Sequence, residues 1–259
     1  MVNPFRRAAG LAVAAACLSG AAAAADPVIP CPAGGFGFDP PGQLIPGSGK
    51  GVADYTEWSP GMRFPLGAAP AYPNSQVFNI GGNNYQGDIK GGWSDARNYQ
   101  YPWQDTFCER RPGAKRPNKA CPGNDGHQGQ DIRPATAADQ TYAVVAPEDG
   151  KVVAVQDFAV IFLGDSVKRY VLLHMHPEDV QMRLPPDHRF LRGQTIGLVS
   201  NYFGYKDGKP VPTSRHLHFE IMLPLAAATP NPLVRAEWRW VSPYVTLVCS
   251  YQRLLDGTP

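Results

Sequence analysis

Beyond residue 25 the sequence has no apolar run that approaches the ~20 residues of a membrane-spanning helix, which sets aside an integral helical membrane protein. It has no internal repeat, and that sets aside solenoids and propellers. It has almost no surplus charge: removing Arg6 and Arg7 from the 24 basic residues leaves 22 to face 22 acidic ones. No polybasic cluster breaks this balance, so neither nucleic acid nor an anionic membrane surface is an expected partner. Room for long helices is also scarce, because 27 glycines and 27 prolines interrupt the chain throughout.

The opening residues differ from the rest. Arg6 and Arg7 precede an alanine-rich apolar run that ends at Ala21 to Ala25, the layout of a secretory signal peptide cut near Ala25. Cys17 lacks the Leu or Val that usually stands three residues before a lipidated cysteine. The expected location is therefore the periplasm or the cell exterior. Cys31, Cys108, Cys121 and Cys249 remain, and an even count in an exported chain reads as two disulfides rather than a thiol catalyst. Three connectivities are open. Pairing Cys108 with Cys121 would close a loop just before His127, leaving Cys31 for Cys249. Zinc ligation by Cys108 and Cys121 is the rival, although their spacing is unlike a C-x₂₋₄-C knuckle.

Two segments 89 residues apart carry the chemistry: His127-Gln-Gly-Gln-Asp131 and His216-Leu-His218-Phe-Glu220. A zinc site with an open position needs about three protein ligands, and a hydrolase needs a base beside the bound water. His216 and His218 fall in a β-branched and aromatic run, where side chains two apart share a face and enter one site. Asp131 lies four residues after His127, and Gly129 with Pro134 argues for a loop or strand entrance rather than a helix. Glu220 reads as a hydrogen-bond partner for a histidine N–H rather than a further ligand. His176 and His188 read as ordinary histidines.

These segments resemble the H-x-G-x-D and H-x-H motifs of the lysostaphin-type, LytM-like zinc metallo-endopeptidases, which cut peptidoglycan peptides. Further stretches are similar in the same order: Tyr142-Ala-Val-Val-Ala-Pro-Glu-Asp-Gly-Lys-Val-Val, Arg169-Tyr-Val-Leu-Leu-His174-Met175, and Leu191-Arg-Gly-Gln-Thr-Ile-Gly-Leu-Val. The resemblance covers roughly residues 120 to 225. It implies one Zn2+ held by His127, Asp131 and His218, with His174 and His216 as the catalytic histidines; because its neighbour on the same strand face is a ligand, His216 is the preferred general base. It also implies a duplicated β-hybrid fold, and a peptidoglycan stem or cross-link as substrate. Two other functions stay open: a non-enzymatic activator of wall hydrolases on the same scaffold, and a secreted protease for Gly-rich proteins.

The expected architecture is mainly β, an antiparallel sandwich or open barrel. Expected strands are 142–146, 151–156, 160–163, 169–175, 195–200 and 216–223. Residues 202–214 are expected as a groove loop, departing from the short Gly/Thr/Ser-rich loop usual in the family. Residues 26–119 are expected as an irregular N-terminal extension, serving as a wrapped support, a groove wall or a flap. A helix is expected over 243–256, with Ser242 as its cap, Gly257 as its stop and a stripe from Tyr244 to Leu255.

Overall fold

The computed structural model describes residues 28–32, 34–83, 90–111, 117–225 and 237–259. The signal-peptide reading, with Cys17, lies outside them. Among the described residues no helix is long and apolar enough to cross a membrane.

The strands are β1 (Tyr72–Pro73), β2 (Gln130–Arg133), β3 (Ala143–Val145), β4 (Gly150–Gln156), β5 (Ala159–Gly164) and β6 (Arg169–Leu173). Helix α1 (Pro177–Arg183) follows, then β7 (Arg189–Phe190), β8 (Thr195–Leu198), β9 (Tyr202–Lys206) and β10 (Lys209–Pro212). The chain continues through β11 (Leu217–Leu225), β12 (Glu237–Val241) and a C-terminal helix α2 (Tyr244–Leu255). The fold is mainly antiparallel β. One eight-stranded sheet runs β1-β2-β11-β6-β5-β4-β7, with β12 also paired to β11, and β9–β10 and β3–β8 form two smaller sheets.

Strand β11 organises this arrangement. Leu217, Phe219 and Ile221 are wholly buried in the main core on one face, which sends His218 and Glu220 to the other. Its register sets His218 opposite Asp131 of β2 on one side and Leu173 of β6 on the other. Asp131 and His174, the residue after Leu173, are thereby brought to the same end of the sheet as His218. Gly129 permits the close approach of the His127–Asp131 segment, since a Cβ there would lie 2.3 Å from the Phe219 carbonyl oxygen.

The core draws on the whole described chain. Phe64, Leu66 and Trp103 join Phe162, Tyr170, Phe219 and the α2 residues Tyr244, Leu247, Val248 and Tyr251 in one cluster. Trp103 donates its Nε1 hydrogen to the Ala71 carbonyl at 2.8 Å, among the rings of Phe36, Phe64 and Tyr251. The apolar stripe of α2 therefore packs inward. Disulfides join Cys31 to Cys249 and Cys108 to Cys121.

Several elements depart from expectation. Residues 202–212 form the β9–β10 hairpin instead of an irregular loop. Helix α1 and strand β12 were not anticipated. His216 immediately precedes β11 instead of starting it, and α2 is one residue shorter at each end than 243–256.

Candidate metal centre

His127, Asp131 and His218 come together with their ligand-type atoms within 4.8 Å of one another. His127 Nε2 lies 2.8 Å from His218 Nδ1 and 3.2 Å from Asp131 Oδ1, and His218 Nδ1 lies 3.0 Å from Asp131 Oδ1. All three residues are buried. Ligands at zinc distances of about 2.0–2.2 Å in a tetrahedron are separated by about 3.3–3.6 Å, so this triangle needs only a slight opening to accept the ion.

The outer nitrogen of each imidazole is already used, which fixes its tautomer. His127 Nδ1 is 3.0 Å from the Thr106 carbonyl, and His218 Nε2 is 3.0 Å from Glu220 Oε1. A carbonyl or carboxylate oxygen only accepts, so both ring nitrogens carry hydrogen there. Two bare nitrogen lone pairs are left aimed at each other and at a carboxylate, and such a cluster calls for a cation. Glu220 is itself steadied, because Trp240 Nε1 donates to its Oε2 at 2.7 Å. The arrangement has the carboxylate–histidine support common around metal ligands.

His174 and His216 stand beside the triangle. Their rings are 4.5 Å apart, and His216 Nε2 is 3.5 Å from Asp131 Oδ1. His216 Nδ1 donates to the Ser214 carbonyl at 2.8 Å and His174 Nδ1 to the Tyr202 carbonyl at 3.1 Å, which leaves Nε2 of each ring facing the site. His174 sits in a left-handed backbone conformation (φ 74°) just after β6, with its carbonyl accepting from both the amide and the hydroxyl of Ser200. Phe158 stacks on its ring, and the half-exposed Phe203 of β9 lies 5.4 Å away. His176 packs on Tyr202 and His188 is exposed, neither joining the cluster.

Electrostatics separates the histidines. Burial, reinforced by the Arg111 charge, pushes His127 down to about 3. Burial, followed by His216 and His218, holds His174 well below the ordinary histidine value. Burial also opposes protonation of His218, but its hydrogen bonds to Asp131 and Glu220 outweigh that and raise it to about 9. In the metal-free site a proton on His218 thus takes the place of the cation. Asp131 would be raised by burial, yet His127, Arg111 and His216 hold it well below the usual carboxylate range.

Sequence reasoning missed the supports. Trp240 lies in a strand that was not anticipated, and Arg111, whose Nη2 is 2.6 Å from Asp131 Oδ2, comes from a loop with no readable pattern. The Thr106 and Tyr202 carbonyls carry no side-chain signal at all.

No protein-family model matches the chain, and no curated protein does. Among solved structures the chain is similar to a Ruminococcus gnavus protein assigned as the glycyl-glycine endopeptidase LytM, at 20% identity and TM-score 0.40, over 73% of this chain and 60% of that one. It is similar to the antimicrobial peptidase lysostaphin from Staphylococcus simulans at 16% identity and TM-score 0.36, over 61% and 54%. A zinc-containing peptidase from Vibrio cholerae follows at 23% identity and TM-score 0.30, over 49% and 35%. The chain spans less than two thirds of the length of each.

Proposed function

We propose that the protein is a zinc-dependent endopeptidase that hydrolyses peptide bonds in peptidoglycan stems or cross-links. The observation that carries the metal reading is the convergence of two inward-facing imidazole nitrogens and one carboxylate oxygen, each ring held from behind. The motif resemblance supports peptidoglycan as the substrate class. The three residues would hold Zn2+, which when bound acts as a Lewis acid and lowers the pKa of a coordinated water from about 15.7 to about 7.

The histidines divide the proton work. His216 Nε2, free of its own hydrogen and 3.5 Å from the ligand carboxylate, takes the proton of the attacking water. His174 offers no donor to the site while neutral, because its single hydrogen is on the Tyr202 carbonyl. The proton that His216 accepts would pass to His174, whose ring lies 4.5 Å away, and because burial makes protonated His174 a strong acid, that proton would go on to the leaving amine. General acid–base groups of this kind contribute roughly 10²- to 10⁴-fold.

The test is mass spectrometry of fragments released from purified peptidoglycan by the protein lacking residues 1–25, with zinc, with a chelator and as His216→Ala. New peptide termini that vanish with the chelator and in the variant are expected. No release by a folded, zinc-loaded sample would overturn the endopeptidase reading in favour of a regulator. Cleavage of a Gly-rich protein with intact peptidoglycan left untouched would point to a protease of different target.

A further inference from the structure

The two oxygens of Asp131 have different surroundings. Oδ1 faces His127 Nε2 at 3.2 Å, His218 Nδ1 at 3.0 Å and His216 Nε2 at 3.5 Å. Oδ2 accepts from Arg111 Nη2 at 2.6 Å, a charge-assisted bond in a setting where Asp131 is buried and the Arg111 side chain is 18% exposed. Glu109 flanks the same Arg111 nitrogen at 3.2 Å, so that nitrogen sits between two buried acidic side chains.

The backbone behind Arg111 is tied to the segment it serves. The Cys108 amide donates to the His127 carbonyl at 2.9 Å, and the His127 amide donates to the Glu109 carbonyl at 2.7 Å. Asn118 Nδ2 donates to the same His127 carbonyl at 3.1 Å, and the Cys108–Cys121 disulfide closes the loop. The loop that carries Arg111 therefore keeps step with the strand entrance that carries His127 and Asp131.

We propose that Arg111 is a positioning residue that occupies Asp131 Oδ2 and so restricts the carboxylate to one-oxygen coordination of the metal. This rests on the metal reading above. A four-coordinate site with an open position tolerates one oxygen from its carboxylate, since a second would fill the place that water or substrate needs. Nothing else among the described contacts of Asp131 engages Oδ2. An aspartate without this restraint could turn Oδ2 onto the ion by a small rotation about its terminal torsion, which is broad and soft.

Co2+ added to the metal-free full chain provides the readout, because four-coordinate cobalt absorbs visible light more strongly than five-coordinate cobalt. The wild type is expected to show the intense four-coordinate bands at one equivalent. Arg111→Met is expected to lose intensity and shift those bands, and Arg111→Lys, which keeps a charged donor, to restore them. A folded Arg111→Met that binds cobalt with the wild-type spectrum would overturn the proposal while leaving the metal reading intact. Absence of any cobalt band in the wild type would overturn the metal reading, and this inference with it. Should Arg111→Met fail to fold, Arg111→Gln is read by the same spectrum: altered bands support the proposal and wild-type bands overturn it.

Discussion

Removing each disulfide in turn should separate stability from metal binding. The Cys108–Cys121 bridge spans a sequence separation of 13 residues and the Cys31–Cys249 bridge one of 218. In the chain-entropy account these loops contribute about 3 and about 5 kcal/mol respectively. For a chain of this size each kcal/mol moves Tm by roughly 2–4 °C, so Cys108→Ser/Cys121→Ser should lower it by roughly 6–12 °C and Cys31→Ser/Cys249→Ser by roughly 10–20 °C. Metal affinity should follow the opposite order. The short loop holds the His127 backbone through the Cys108 amide, the Glu109 carbonyl and the Asn118 side chain, whereas Cys31 packs against the main core and Cys249 is buried in α2. Loss of supports around metal ligands typically costs 10–100-fold in affinity, so the short-loop variant should bind zinc at least about tenfold more weakly. The long-range variant should stay close to wild type. Melting of the metal-free protein and competition with a chromophoric chelator measure the two quantities on the same samples. A long-range variant that loses more zinc affinity than the short-loop variant would refute the assignment of the 108–121 loop to the metal centre.

Three further outcomes are expected. Trp103→Ala should cost about 3–5 kcal/mol in urea unfolding, because the ring is wholly buried and central to the core cluster; a cost below about 1 kcal/mol would mean that residues before 120 contribute little to that core. His127 is held neutral by burial down to about 3, while the unfolded chain takes its proton near 6.5, so its stabilising contribution is full above pH 6.5 and is lost as pH falls toward 3. The urea midpoint of the metal-free protein should therefore fall between pH 6.5 and 4, and His127→Gln should flatten that slope; an unchanged slope would contradict the assignment. Gly129→Ala should destabilise by about 1–3 kcal/mol and weaken zinc binding, since the added methyl meets the Phe219 carbonyl of β11, and zinc titration with wild-type affinity would show that the close approach is unnecessary.

Much of the sheet was legible because its strands alternate. Strand β5 buries every second residue, and its neighbour β6 does the same, so period-two patterning located both within two residues. The α2 stripe was readable for the analogous helical reason. The β9–β10 hairpin was missed although its turn is written in the sequence: Asp207 (φ 53°) and Gly208 (φ 74°) occupy the two left-handed positions of a two-residue hairpin turn. Helix α1 also had its markers, Pro177 in the first turn with Glu178 and Asp179 and Arg183 at the end, but seven residues give too little periodicity to see. The metal-centre side chains could be proposed from H-x-G-x-D and H-x-H because those spacings are local in the chain, each falling at the start of one strand. Arg111, Trp240 and the Thr106 and Tyr202 carbonyls act across elements, and no spacing encodes them.

The pairing of His218 with Asp131 on one side and Leu173 on the other has a consequence for how the sheet is checked during folding. A slip of β11 by one residue would turn Leu217 or Phe219 toward the ligand face and bury an imidazole among apolar side chains. Only the native pairing assembles the three donor atoms, so an ion that binds them selects that pairing from its near neighbours. Metal stoichiometry in a refolded preparation would then count correctly registered sheets, distinguishing them from compact chains that have the right strands in the wrong alignment.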